Sequence, residues 1–395
     1  MSLGHGLSIP RNGLVFQYDM GNDKKSWKGA PATNVVTNTN LDTGWSQGYN
    51  TSIQWNDYPT PSGIKSQVVS FIDQDGNGSG YWYSYGDFAP QDPDTTYCIS
   101  IYARTVGADW TIRAYTADNS ELGRQYTNSL TVPGDGKWYR LEFDPITTPS
   151  NTQSDSLSFN FTDIPAGQRC WLCAPQMTAT SFHVPFVEGT RSNTQALIDI
   201  SSQNNTITAS SLTYSSNNTF SFNGTSDWAT AANINLGLDP FVTVSAWIKR
   251  TNTLSGAGYW GLGGGSNNNG INGYTNASRP NKIGWDLWGQ TTFDTGVDYP
   301  LNEWVHVVWV KNASGFSTST LKVYINGVDT ALSFTSRNNS SSVSLVDGFT
   351  FGRISDNVGG YYAPGDIDQL LLYDVALSST EISRIFESTR GRYGV

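Results

Sequence analysis

The chain is written in short stretches of alternating apolar and polar residues, each cut off by Gly, Asn, Asp or Pro, and this restricts it to an all-β fold. YCISIYARTV (97–106), WTIRAYTA (110–117), WYRLEFDPI (138–146), SLSFNFTDI (156–164) and RCWLCAPQM (169–177) follow one another in this way. Alternation with period two puts one face of each run into a core and the other outside it. FVTVSAWIKR (241–250), NEWVHVVWVKN (302–312), LKVYINGVDTALSF (321–334) and FTFGRIS (349–355) continue the pattern. Short strands separated by turn residues are the mark of sandwiches and jelly rolls. One helix is expected, near the C-terminus. Ser378 caps it, Glu381 completes a capping box, Leu377 staples to Ile382, and Ile382, Ile385 and Phe386 form its apolar stripe.

Length and composition allow two sandwiches with full cores. The 395 residues are only 14% charged and include 40 Gly. Aromatic content is high, with 14 Trp, 20 Tyr and 17 Phe, which removes disorder as a reading. The net charge of −10, without a Lys/Arg run, argues against nucleic acid and anionic membranes as partners. No run of about 18 apolar residues exists to cross a membrane, and MSLGHGLSIPRNG has neither the basic start nor the apolar segment of a secretory signal. Synthesis in a reducing cytoplasm is the expectation.

Three cysteines, Cys98, Cys170 and Cys173, are too few for a disulfide framework. Cys170 and Cys173 read C-x-x-C, but on a strand, where residues three apart face opposite ways, so plain thiols are expected.

Asp73, Asp75, Asn77 and Gly78 match the front half of a calcium loop. Ser84 stands where the closing Glu belongs, and a solvated hairpin turn is the competing reading. Tyr81, Tyr83 and Tyr85 follow, sharing one side of a strand with Trp82 on the other. Such a row stacks on sugar rings or walls a core. The Gly/Asn-rich stretch 255–293 carries Trp260, Tyr274, Trp285 and Trp288, either as glycan-stacking planes or as tryptophans buried under turns.

The second half resembles the laminin-G-like members of the concanavalin A-type lectin/glucanase superfamily. FSFNGTSDWATAANI, FVTVSAWIKR, NEWVHVVWVKN, LKVYINGVDTALSF and GDIDQLLLYDVALSSTEISRIF carry the resemblance. It extends to GLVFQYDMGN near the N-terminus, which in that family directly precedes a segment like LIDISSQNNTIT. The resemblance therefore implies a discontinuous host sandwich, 12–29 with 189–395, interrupted by an inserted domain at 30–188. Residues 1–11 form an arm. The insert, from NVVTNTNLDTGWSQGYN to WLCAPQMTATSFHVPFVEG, is similar to jelly-roll carbohydrate-binding modules.

The family likeness places Trp247 and Trp304 in the core. It puts a calcium ion near Asp227 with Asp366 or Asp368, the alternative being that Asp366 and Asp368 hold turns and backbone amides. In the insert it assigns Asp42 to a structural calcium, although Cys173, Ala174 and Gln176 stand where the second acid is expected. Asn326-Gly327 predicts a type I′ hairpin pairing Ile325 with Val328, Val323 with Thr330 and Leu321 with Leu332.

No catalytic set is expected. Catalytic members of the superfamily commonly show E-x-D-x-x-E, which is missing, and the few Glu (Glu121, Glu142, Glu188, Glu303, Glu381, Glu387) are scattered. His306 reads as a locally satisfied strand residue, since no nucleophile pattern accompanies it. Together the two resemblances imply a tailed-phage virion protein: a tail fibre, appendage or head decoration, with other virion proteins and cell-surface polysaccharide as partners. A homo-oligomer is implied with them, a trimer by expectation, released by lysis. A purely structural decoration protein and a polysaccharide-degrading enzyme are the alternatives.

Overall fold

The computed structural model describes residues 9–395 apart from 22–25, 38, 40–44, 49–50, 56–57, 63, 65, 74–78, 85–88, 90, 118–124, 151–155, 163–166, 215–219, 254–255, 265–268, 276–278, 280, 288–289, 337–341 and 356–360. The fold is all-β. The chain divides into two compact units, unit 1 made of residues 1–29 and 193–395 and unit 2 of residues 30–192. No helix among the described residues is long and apolar enough to cross a membrane.

Unit 1 is a sandwich of two large sheets. In one, strands run in the order Thr213–Tyr214, Phe220–Asn223, Pro364–Tyr373, Val242–Arg250, Val305–Lys311, Leu321–Ile325 and Val328–Thr330. Leu14–Tyr18 joins it by antiparallel pairing with Pro364–Tyr373, setting Phe16 opposite Leu372 and Tyr18 opposite Leu370. The second sheet runs Thr208–Ser210, Trp228–Ala231, Phe349–Phe351, Gly258–Gly263, Gly270–Thr275, Lys282–Leu287, Thr291–Asp298 and Ser333–Ser336. Both sheets contribute to one core, in which Phe16, Val244 and Trp309 meet Trp260, Trp285 and Phe351. The Asn326-Gly327 hairpin pairs Ile325 with Val328 and Val323 with Thr330. Its second strand stops at Thr330, so the expected pair of Leu321 with Leu332 does not extend the ladder.

The C-terminal helix, Ser379–Tyr393, starts at the Ser378 capping box and ends at Gly394 in the left-handed conformation. Ile382 and Ile385 pack with Val308, Tyr324, Leu371 and Tyr373 on the outer side of the first sheet. A four-residue helix, Asn193–Ala196, also occurs. At the end of the expected N-terminal arm, Ile9 packs with the cluster under the C-terminal helix and the Tyr373 hydroxyl donates to the Pro10 carbonyl at 3.2 Å.

Unit 2 is a smaller sandwich. One sheet runs Tyr139–Glu142, Thr96–Thr105, Arg169–Thr178, Val68–Asp73 and Thr51–Trp55, with Ile146–Thr147 also on Thr96–Thr105. The other runs Trp45–Gly48, Ser79–Ser84, Ser156–Thr162, Trp110–Ala117 and Gln125–Val132. Phe71 of one sheet lies 5.3 Å from Phe161 of the other. Thr190–Arg191 pairs with Ala32–Thr33, joining the two ends of the unit.

Candidate functional site

The candidate glycan surface lies on unit 2, on the side of the second sheet that faces away from its core. Leu157, Phe159 and Phe161, with Trp110, Ile112 and Ala114, are all buried in the core. Alternation then turns Ser158, Asn160, Arg113 and Tyr115 to the other side of the sheet, where Arg113 and Asn160 are half-buried and Ser158 and Tyr115 are buried. Register puts Asn160 between Arg113 on one side and Tyr81 on the other, and Ser158 between Tyr115 and Tyr83. The register thus sets the positions of Tyr81 and Tyr83 one strand away from Arg113 and Tyr115, which the sequence did not single out.

Tyr126 reaches this face through a β-bulge. Arg113 pairs with Ser129 and Tyr115 with Tyr126, so one residue on the first strand faces two on the second. The Thr127 hydroxyl fills the gap, accepting from the Ala114 amide and donating to its carbonyl, both at 3.0 Å. The bulge brings the Tyr126 ring 5.3 Å from Tyr115 and beneath the Arg113 guanidinium at 4.5 Å. Tyr126 remains 45% exposed, an aromatic plane open to solvent.

Two polar atoms here are buried without a hydrogen-bond partner, Asn160 Oδ1 and Arg113 Nε. One is an acceptor and the other a donor, and they sit on directly opposed residues. The signal that would have found this face is the alternation of WTIRAYTA, which puts Arg113 and Tyr115 on the same side. Tyr85 lies outside the described residues.

In unit 1 the structure corrects most of the expected site. Trp260 and Trp285 are fully buried and pack edge-to-face at 5.6 Å, with Trp309 5.5 Å from Trp260. The Trp285 indole donates to the Lys322 carbonyl and Trp309 to that of Gly284. They are core residues, and stacking on a glycan is closed to them. Gly273 exists for this packing, since a Cβ there would lie 2.1 Å from Trp260 Nε1. Tyr274 is 9% exposed and lies edge-on to Tyr361 at 5.7 Å. Trp288 is outside the described residues.

The acids expected to hold calcium are engaged with groups of the protein itself. Asp227 is fully buried and accepts from the Asn223 amide and the Ser226 hydroxyl. Asp368 accepts from the Met20 amide at 2.8 Å, the Gln369 amide at 2.6 Å, the Tyr393 hydroxyl at 2.9 Å and the Arg392 guanidinium. Burial raises the Asp366 carboxyl above the usual carboxylate range, while a Ser221 hydrogen bond pulls it back. Among the described residues no cluster of three His, Cys, Asp or Glu side chains is placed to hold a metal. Asp73 ends the strand Val68–Asp73, and Asp42, Asp75 and Asn77 lie outside the described residues.

Trp247 is buried beneath the C-terminal helix, stacked on Tyr393 at 4.1 Å and donating to Thr389 Oγ1. Trp304, expected in the core, is instead half-buried beside a cleft, 5.0 Å from Tyr393. His306 Nε2 lies 2.9 Å from Ser245 Oγ, both groups buried. Burial holds this imidazole down at about 3, so it is neutral, and no substrate reaches it. Cys170 lies in the unit 2 core and Cys173 on the opposite side of the same sheet, both as free thiols. Burial pushes the Cys173 thiol up to about 12.

Comparison with known proteins yields one family match and several distant structural likenesses. The chain is similar to the crystal structure of the botulinum neurotoxin serotype D binding domain, at 20% identity and a TM-score of 0.37 over 50% of each chain. It is likewise similar to that neurotoxin's ligand binding domain in complex with N-acetylneuraminic acid (20% identity, TM-score 0.36, 50% of this chain and 49% of that one). A third structure, the Clostridium thermocellum endo-1,4-beta-D-xylanase 10B CBM22-1–GH10 modules complexed with xylohexaose, matches at 16% identity and a TM-score of 0.30, over 39% of this chain and 29% of that one. The chain thus spans about half the length of the toxin domains it matches. No curated protein matches it. Residues 222–383, all within unit 1, match the Laminin_G_3 model of the concanavalin A-like lectin/glucanases superfamily, a part of the 12–29 and 189–395 stretch over which the sequence resemblance was drawn.

Proposed function

We propose that the chain is a non-enzymatic glycan-binding protein of a tailed-phage virion, a tail fibre, appendage or head decoration, that holds host or environmental glycans on the outer face of unit 2. The observation that carries the glycan reading is the meeting of Arg113, Tyr126 and Asn160 on that face. An exposed tyrosine plane offers stacking to the apolar side of a sugar ring. Beside it, Arg113 and Asn160 are side chains of the type that hydrogen-bond sugar hydroxyls.

The virion setting rests on the sequence likeness, a laminin-G-like domain hosting a carbohydrate-binding-module-like insert. In that setting the protein is made in the host cytoplasm and is extracellular after lysis. It assembles as a homo-oligomer, a trimer in this reading, with other virion proteins as neighbours. Repeated copies multiply a weak single-site affinity.

A bacterial-glycan array probed with the full chain and with an Arg113→Ala/Tyr126→Ala double variant tests the reading. Binding by the first and loss in the second is expected. Absence of binding to every polysaccharide, with stable incorporation into particles, leaves a purely structural decoration protein. Release of reducing sugar from a bound polysaccharide overturns the non-enzymatic part, and electron microscopy of labelled particles tests the virion placement.

A further inference from the structure

Unit 1 carries a cleft that the sequence does not announce. It measures about 630 Å³, within the range of roughly 300–1,000 Å³ usual for small-ligand sites. The end of the strand Thr291–Asp298, the turn after it, the hairpin at Asn326 and the end of the C-terminal helix form its walls. Trp304 and Tyr393 supply its aromatic surface, their rings 5.0 Å apart and inclined at 59°. Tyr393 is held on both sides, stacked on buried Trp247 and donating its hydroxyl to Asp368. The plane against which Trp304 leans is therefore fixed before any ligand arrives.

The polar lining is one-sided in charge. Asn302 and Asn326 supply amides, and Glu303 and Asp298 supply carboxylates. Asn326 spends its side-chain oxygen on the His306 amide at 2.9 Å, so the group it offers elsewhere is its NH₂. Asp298 is bridged by Lys282 at 2.7 Å, which leaves Glu303 as the exposed acid of the lining with its charge available to a ligand. No Lys, Arg or His lines the cleft among the described residues. Anionic sugars such as uronic or sialic acids would meet the exposed Glu303 carboxylate here.

We propose that this cleft binds an amino-sugar residue, its ring lying on Trp304 and its protonated amine facing Glu303. Asn302 and Asn326 hydrogen-bond its hydroxyls. This is a second glycan site, on the other unit, and its argument does not use the unit 2 face. A stacked ring with a cation beside it suits indole well, because the ring quadrupole also attracts the ammonium group.

Titration calorimetry of the full chain with three probes tests the assignment: a glucosamine tetramer, its fully N-acetylated form and a galacturonate tetramer. The glucosamine tetramer is expected to bind about tenfold more tightly than the acetylated form, since a lost ammonium–carboxylate contact of about 1.4 kcal/mol has that effect. Galacturonate should give no heat. Trp304→Ala should abolish binding and Trp304→Phe should retain part of it. Glu303→Gln, an exposed change that spares folding, should erase the preference for the free amine. The Arg113→Ala/Tyr126→Ala variant should bind the glucosamine tetramer like the parent, which separates failure here from failure of the unit 2 face. The assignment is overturned by no binding of the glucosamine tetramer, by equal binding of galacturonate, by a preference that survives Glu303→Gln, or by cleavage of the probe.

Discussion

Asn160 stands directly across from Arg113 on neighbouring strands of unit 2, and each leaves a buried polar atom without a hydrogen-bond partner. A fold gains nothing from such a pair, because a buried unsatisfied group costs about 1–3 kcal/mol. Removing one of them therefore separates a structural role from a binding role. Asn160→Ala should leave thermal stability unchanged or raise it by about 1 kcal/mol. The same substitution should weaken binding to whichever glycan the array identifies by about tenfold, the loss of one hydrogen bond worth about 1.4 kcal/mol. Melting curves and titrations on one preparation decide the matter. A variant that melts early and binds normally would make Asn160 a structural residue.

The strand Leu14–Tyr18 lies far upstream of the partner it pairs with, Pro364–Tyr373. Phe16 is fully buried against Phe349 at 5.2 Å and Phe351 at 5.9 Å, one ring from the early strand closing on the opposite sheet. Phe16→Ala should destabilise unit 1 by about 3–5 kcal/mol, the cost of a core cavity of that size. The ends flanking unit 2 are tied together within unit 1, since the Lys28 amide donates to the Ala196 carbonyl at 2.9 Å. Replacing residues 30–192 by a short Gly/Ser linker should then leave a soluble, cooperatively melting unit 1. Cutting away residues 1–18 from that shortened chain should abolish the cooperative melt.

What the sequence made legible was whatever short-range chemistry decides. The hairpin register follows from Asn326-Gly327, whose φ values of 49° and 78° are those a type I′ turn needs. The helix start follows from Ser378 and Glu381, and the alternating strands from period two. Burial of Trp260 and Trp285 was hidden, because GYWGLGGG and KIGWDLWGQ look alike as loop or as strand. There glycines sit in strands for close approach: a Cβ on Gly284 would lie 1.8 Å from the Phe293 carbonyl oxygen. The Arg113–Tyr126 face was hidden for a different reason. Alternation in WTIRAYTA sets Arg113 and Tyr115 on one side, but Tyr126 joins them only through a bulge and strand pairing, and neither has a local signature.

Asp368 gives a prediction about calcium. Its carboxylate already takes two backbone amides, one tyrosine hydroxyl and one guanidinium. A cation there would have to displace Arg392 and break the tie that also joins Arg392 to Asp19. Adding millimolar calcium or EDTA should therefore not move the unit 1 melting temperature. Asp368→Asn should lower stability by about 1–3 kcal/mol, because it weakens the hydrogen bonds that Arg392 and Tyr393 make to this carboxylate. A calcium-dependent rise in melting temperature, abolished by Asp368→Asn, would reinstate the metal.

His306 sets an acid limit on unit 1. The imidazole is fully buried between Trp247 at 5.2 Å and Phe386 at 5.9 Å, with the Ser245 hydroxyl on Nε2 and nothing on Nδ1. That surrounding cannot solvate an imidazolium, which is why burial holds the folded group down at about 3 against an ordinary 6.5. Between those values the unfolded chain binds a proton that the folded chain refuses. Stability is thus unaffected by this group above about pH 6.5 and falls with acidification below it, at about 1.4 kcal/mol per pH unit until about pH 3. Acidic residues add their own slopes, so the readout is a difference. Denaturant midpoints for the parent and for His306→Gln, measured at steps between pH 7 and pH 4, should diverge by about one proton's worth of slope, with the variant the flatter of the two. Parallel lines would mean that the folded protein admits the charge, and that the space around Ser245 and Trp247 is wetter than the packing of these rings allows.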